Sequence, residues 1–236
     1  MGAGRPLREL DSRPGSSARN LYLSLDAQLQ LVAEKALGDL DGAVVAIDPR
    51  NGEVLALVSK PGYDPKLFVE GIDAKSYRAL LEDAGRPLYN RALLGTYPPG
   101  STIKPFMATA ALNFKTVTPE SGVFCGGSMT LPGNSRKYRC HKRQGHGWVT
   151  LDSAIAKSCD IYFYQAAMNL GIDRIDEILG QFGFGKPTGI DVPNEKGGLL
   201  PSKEWKRRAY RQAWFPGETL LNGIGQGFML TSPVQL

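Results

Sequence analysis

Leu21, Leu23 and Leu25 alternate with polar neighbours, which is the two-residue period of a short strand. The period then lengthens. Leu29, Val32, Ala33 and Ala36 recur at helical spacing behind Asp26, a good N-cap residue, and Gly38 ends the run. Two runs rich in Val, Leu and Ile follow, Ala43 to Ile47 and Glu53 to Val58. They are separated by Asp48-Pro49-Arg50-Asn51-Gly52, so a β-hairpin is predicted. Between Lys60 and Pro99 repeated Pro and Gly predict loops, with one helix around Ala74 to Asp83. Tyr97-Pro98-Pro99-Gly100 halts the chain. From Ser101 to Leu112 the pattern is helical, with Pro105 tolerable in a first turn. Leu151 to Leu170 reads as one further helical region and Ile172 to Phe182 as another, with Gly183 as its stop.

The 236 residues are 42% hydrophobic and 22% charged, a globular composition that excludes disorder over the whole chain. Residues 1–19 follow neither period and are rich in Gly, Arg, Ser and Pro. A disordered linker or appended end is expected there, with one domain over residues 20–236. No apolar run approaches the roughly 18 residues of a membrane span, and the first twenty residues lack the apolar stretch of a secretory signal. The chain is expected to carry no membrane anchor of its own.

A net charge of +5 is mild, but the basic residues gather in two places. One cluster is Arg136, Lys137, Arg139, Lys142 and Arg143. The other is Lys203, Lys206, Arg207, Arg208 and Arg211, interleaved with Trp205, Tyr210 and Trp214. Aromatic and basic side chains together can stack and hold nucleic-acid bases. They also form solvated helix faces with inward anchors. No recognised nucleic-acid motif accompanies them, so nucleic acid is not an expected partner.

Ser101-Thr102-Ile103-Lys104 opens the predicted helix, and positions i and i+3 share a helix face. A serine hydroxyl is a weak nucleophile until a base takes its proton, and a neutral lysine amine can serve. By spacing alone, a capping serine beside a surface lysine is the commoner arrangement. The context is more specific. Tyr97-Pro98-Pro99-Gly100-Ser101-Thr102-Ile103-Lys104-Pro105 resembles the nucleophile segment of penicillin-binding transpeptidases. Gly42 to Pro49 with Gly52 to Ala56 resembles their first hairpin. Thr188-Gly189-Ile190-Asp191, Gly223-Ile224-Gly225-Gln226-Gly227 and Ser232-Pro233-Val234-Gln235-Leu236 resemble their later blocks. Leu131-Pro132-Gly133, Gly145-His146-Gly147 and Tyr162-Phe163-Tyr164-Gln165 are similar to the penicillin-binding protein 2 branch of class B.

The resemblance implies a mixed α/β, serine β-lactamase-like transpeptidase fold, with an antiparallel sheet packed by helices beside a helical region. It implies an acyltransferase that crosslinks peptidoglycan stem peptides during cell elongation through an acyl-enzyme on Ser101, and that β-lactams trap. Lys104 would be the base. Ser158-Cys159-Asp160 would be the second motif, with Ser158 relaying protons and Asp160 standing where the family at large prefers asparagine. The family's third element, Lys-Thr-Gly or Lys-Ser-Gly, has no counterpart after Ser158. A C-terminally truncated domain with an incomplete sheet, acylating weakly or not at all, is therefore expected.

Cys125, Cys140 and Cys159 are an odd number, so they cannot all pair within the chain. With His146 they could make a Cys3His zinc shell, but their spacing lacks paired Cys-x-x-Cys knuckles. By spacing alone, buried thiols with one disulfide, Cys125–Cys140, are the commoner arrangement. The resemblance implies a structural zinc held by Cys125, Cys140, His146 and Cys159, with His141 a spare candidate. It also implies a membrane-anchored parent on the periplasmic face of the inner membrane, partnered by a lipid-linked glycan polymerase and elongation scaffold proteins. A serine β-lactamase would need a base for deacylating water, which nothing marks. A penicillin-sensing or zinc-stapled binding domain is the non-enzymatic alternative.

Overall fold

The computed structural model describes residues 20–236 apart from Glu70; the expected linker at residues 1–19 lies outside the described residues. Helix α1 (Ala27–Leu37) starts where Asp26 Oδ1 accepts from the N–H groups of Gln28 and Leu29. It ends at Gly38, whose N–H returns to the Glu34 and Lys35 carbonyls. Strands β1 (Gly42–Ile47) and β2 (Val54–Lys60) form the expected antiparallel hairpin, with Val44 opposite Val58 and Ala46 opposite Ala56. The turn is closed by Asp48, which accepts from the Arg50 N–H and its guanidinium.

Two expectations at this end are corrected. Leu21–Leu25 is not a strand. Alternation becomes a strand only when a partner edge takes up the ladder, and here one backbone bond, Asp26 N–H to Leu55 C=O, joins the segment's end to β2. The buried face of α1 is also rotated from the apolar stripe. Ala33 and Leu37 pack on Ala56, Val58, Val44 and Ala46, while Leu29, Val32 and Ala36 face solvent. The Gln30 carboxamide decides the rotation, since it both donates to Leu57 C=O (3.1 Å) and accepts from Leu57 N–H (2.9 Å). It completes part of the β2 edge that no strand covers.

Helices α2 (Lys66–Val69), α3 (Ala74–Glu82) and α4 (Arg91–Leu94) follow. Only α3 was legible, since a four-residue helix shows no period. A 3₁₀ turn at Gly100–Ile103 runs straight into α5 (Lys104–Asn113). Four three-residue strands come next: β3 (Val123–Cys125), β4 (Ser128–Thr130), β5 (Lys137–Arg139) and β6 (Gly147–Val149). β3 pairs with β6 and β4 with β5, both antiparallel. The predicted helical region Leu151–Leu170 is two helices, α6 (Leu151–Ala156) and α7 (Asp160–Leu170). Ser158, at φ +50°, breaks them apart. Helices α8 (Ile172–Gln181), α9 (Lys203–Tyr210) and α10 (Pro216–Asn222) complete the chain.

The main core forms around α7, whose Ile161, Tyr162, Phe163, Ala166, Ala167 and Leu170 are all buried. Helices α5, α8 and α10 and strands β3 and β5 pack against it. The second basic cluster is built on aromatic anchors. Lys206 is buried in an ion pair with Glu218, its ammonium 4.3 Å from the Phe215 ring centre, and Trp205 and Tyr210 pack on Phe228. The described residues make a mixed α/β fold whose strands form three separate two-stranded ladders.

Candidate active site and metal cluster

The elements converge on a cleft of about 420 Å³ lined by Ser101, Ser158 and Asp160 with Cys140, His141 and Tyr164 among its walls. Ser101 sits exposed in the 3₁₀ turn. Its position is set from the far end of the chain: Gly100 N–H donates to Gly225 C=O at 2.8 Å. Gly225 adopts φ +66°, and a Cβ there would run into the Gly100 backbone. Glycine is needed at that position both for the backbone angle and for the close approach.

Lys104, the first residue of α5, is 2% exposed. Its ammonium donates to Ser158 Oγ (2.9 Å), Ser158 C=O (2.8 Å) and Asp160 Oδ1 (2.7 Å). Three acceptors satisfy all three N–H groups of a lysine ammonium. Among the described residues no hydrogen bond joins Ser101 to Lys104; the hydrogen bonds of the Lys104 ammonium run instead to the second motif, more than fifty residues away in sequence. The left-handed Ser158 turns its carbonyl and its hydroxyl to the same amine. A non-glycine residue in that region is strained, and here the strained residue is the one bonded to Lys104. Asp160 is held from both sides, since His141 N–H donates to Oδ2 at 2.9 Å.

Cys125, Cys140, His146 and Cys159 come together beside this cleft, their ligand atoms all within 4.8 Å of one another. Cys125 ends β3, Cys140 follows β5, His146 precedes β6, and Cys159 caps α7. The segment between β3 and β6 is tied by His146 N–H to Cys125 C=O (3.0 Å) and Cys140 N–H to Gly127 C=O (2.9 Å). All three thiols are unbonded to one another and buried.

The geometry can be tested against zinc. Bonds of ~2.3 Å to sulfur and ~2.05 Å to nitrogen at a tetrahedral angle place sulfur and nitrogen about 3.6 Å apart. His146 Nδ1 lies 3.6 Å from both Cys125 Sγ and Cys140 Sγ. The donor set fits. Burial pushes the Cys159 thiol up to about 12, so a thiolate there calls for a cation. Burial pushes Cys125 up as well, but the Gly127 and His146 N–H groups and the other thiols outweigh it and leave it below the ordinary thiol range. Burial, with the positive neighbours His141, Lys142 and Lys157, lowers His146 and favours the neutral imidazole that ligates.

Arg139, Arg143, Tyr164 and Gln226 also line the cleft, and no local pattern in the sequence marks them for it. Burial pushes Tyr164 up to about 12, with the Asp160 charge adding to it; its hydroxyl donates to Arg139 C=O. The Tyr-Phe-Tyr-Gln block marks its helix, but only the packing of α7 shows which tyrosine turns to the cleft.

Known proteins place this arrangement. The sequence pattern of the penicillin binding protein transpeptidase domain matches residues 42–236. Peptidoglycan D,D-transpeptidase MrdA of Salmonella typhimurium is 47% identical over 99% of this chain, which spans 37% of that relative's length. The crystal structure of penicillin-binding protein 2 from Pseudomonas aeruginosa in complex with WCK 5153 is 54% identical, with a TM-score of 0.87 over 90% of this chain and 46% of that one. The Helicobacter pylori penicillin-binding protein 2 in complex with MreC is 36% identical, with a TM-score of 0.86 over 89% of this chain and 39% of that one. The matched span contains Ser101, Lys104 and the Ser158 to which that lysine is hydrogen-bonded, and the chain belongs to the penicillin-binding protein transpeptidase family.

Proposed function

We propose that this chain carries the acylation centre of a peptidoglycan D,D-transpeptidase that β-lactams inhibit. The observation behind this reading is the Lys104–Ser158 hydrogen bond at 2.9 Å, in a cleft that also holds an exposed Ser101. Ser101 Oγ attacks the penultimate D-alanine carbonyl of a stem peptide, and its proton passes to Lys104 as a neutral amine. The C–N bond to the terminal D-alanine breaks, and Ser158 hands a proton to the leaving nitrogen. The amine of a second stem then displaces Ser101 Oγ and forms the crosslink. Asp160, 2.7 Å from Lys104, orients the lysine and is placed to take the proton an ammonium must first shed.

Cys125, Cys140, His146 and Cys159 would hold a structural zinc. Four protein ligands leave no open position, so the ion supplies orientation and no Lewis acid. Because Cys159 lies between Ser158 and Asp160, holding its sulfur fixes both neighbours against Lys104.

The relative that binds MreC supports an elongation scaffold as partner of the whole protein, and a lipid-linked glycan polymerase follows from the family resemblance. The proposed site of action is the periplasmic face of the inner membrane. Among the described residues no helix is long and apolar enough to cross a membrane.

Incubating the chain for hours with millimolar benzylpenicillin, followed by peptide mass mapping, tests the reading. A slow penicilloyl adduct on Ser101, absent from Ser101→Ala, is expected. An adduct on another residue, or an equal one in Ser101→Ala, would overturn it.

A further inference from the structure

Arg139 and Arg143 both line the cleft that holds Ser101 and Ser158, and both are exposed. Neither guanidinium has a hydrogen-bond or ion-pair partner among the described residues. The cleft's one carboxylate, Asp160, is already engaged by Lys104 and by the His141 N–H. The lining therefore carries two positive charges beyond a neutralised Lys–Asp pair. The backbone beneath these arginines is held firmly. Arg139 is in β5, paired with Ser128, and its carbonyl accepts from Tyr164 OH. The Arg143 carbonyl lies so close to Gly127 that a Cβ there would overlap it. Such side chains start from fixed anchor points, and guanidinium forks bind carboxylates in paired hydrogen bonds.

We infer that Arg139 and Arg143 form a carboxylate clamp that selects acidic peptides, gripping a carboxylate on the substrate separate from the bond that reacts. This rests on the acyl-transfer reading for the identity of the peptide. The clamp acts on recognition, so its mark is a ratio between two ligands rather than a rate.

The probes are two fluorescein-labelled pentapeptides ending in D-Ala-D-Ala, identical except that one carries a side-chain carboxylate at its third residue and the other the matching carboxamide. Equilibrium binding to the 236-residue chain is read by fluorescence anisotropy. The acidic peptide is expected to bind about tenfold tighter, as a charge-assisted pair in an open cleft supports. That preference should shrink as salt rises. Arg139→Gln with Arg143→Gln should abolish the preference, and the Arg→Lys pair should restore part of it. A structural defect would weaken both peptides alike and leave the ratio intact. Equal binding of the two peptides by the unaltered chain, or a preference that survives the double substitution, overturns the clamp. Penicilloyl mapping on the same samples separates the two readings. An adduct on Ser101 with no acid preference defeats the clamp alone, whereas an acid preference with adducts only on other residues supports the clamp and counts against acyl transfer.

Discussion

Lys104 is the residue on which the site turns. It is buried among three acceptors from a helix junction far along the chain, and removing any one alters what its amine can do. Ser158→Ala deletes one acceptor, the hydroxyl proposed to relay protons. Ser101 acylation by benzylpenicillin is expected to slow by about 10²–10³-fold, the range typical of a lost proton-transfer group. Unchanged kinetics would remove Ser158 from the mechanism. The cysteines make an independent prediction. Elemental mass spectrometry should find about one zinc per chain, lost in Cys159→Ser, in keeping with a four-ligand shell. The metal-free Cys159 thiol keeps its proton up to about pH 12, so binding near neutrality must expel it. Apparent zinc affinity should therefore rise with pH. Competition with a chromophoric chelator at pH 6.5 and 8 checks the sign, and equal affinities would argue against thiolate ligation.

At the scale of elements, three-residue strands carry the Cys–His cluster proposed to bind zinc, and such strands gain little from their own ladders. They depend on close backbone approach. Gly145, at φ +81°, lies against the Cys125 carbonyl with no room for a Cβ. Gly145→Ala is expected to cost about 1–3 kcal/mol. That corresponds to a Tm fall of roughly 3–10 °C for a chain of this size. It should also reduce bound zinc, since His146 follows directly. A Tm within 1 °C and full zinc would show the knuckle to be more forgiving. The α9–α10 pairing offers a second case. Lys206→Ala strands Glu218 beneath Phe215 without its cation, and a loss of about 3 kcal/mol in urea unfolding is expected. The helix pair leads into Ile224 and Gln226 on the cleft wall, so acylation of Ser101 should fall alongside.

Over the whole molecule, apolar surface is unevenly covered. The α7 core is closed, whereas Leu21, Tyr22, Leu23, Leu31 and Val32 stand exposed beside the β1–β2 hairpin. Val32, 62% exposed on α1, contributes little to folding here, and Val32→Lys should leave Tm within about 1 °C, as substitutions on open surface usually do. The same change should reduce aggregation by static light scattering. A large Tm loss would mean that Val32 is buried in solution.

Ser101, Lys104, Ser158 and Asp160, the groups proposed for acyl transfer, lie in short motifs that could be read in the chain, and α1, the hairpin, α3 and α8 were legible because caps, turns and long periods are local signals. The break at Ser158 was not. A left-handed serine between two helical runs is stabilised by contacts with Lys104, which no window of neighbouring residues contains. The face α1 buries was likewise set by Gln30 reaching a β2 edge, against the chain's own apolar stripe. Residue chemistry and spacing alone determined which groups are available for catalysis and metal binding. Only tertiary structure decided that the lysine meets the second serine, that three cysteines and a histidine far apart in sequence come within 4.8 Å of one another, and that two arginines line the cleft that holds Ser101. Those outcomes depend on packing between remote segments, and the free energy of such packing is not local in sequence.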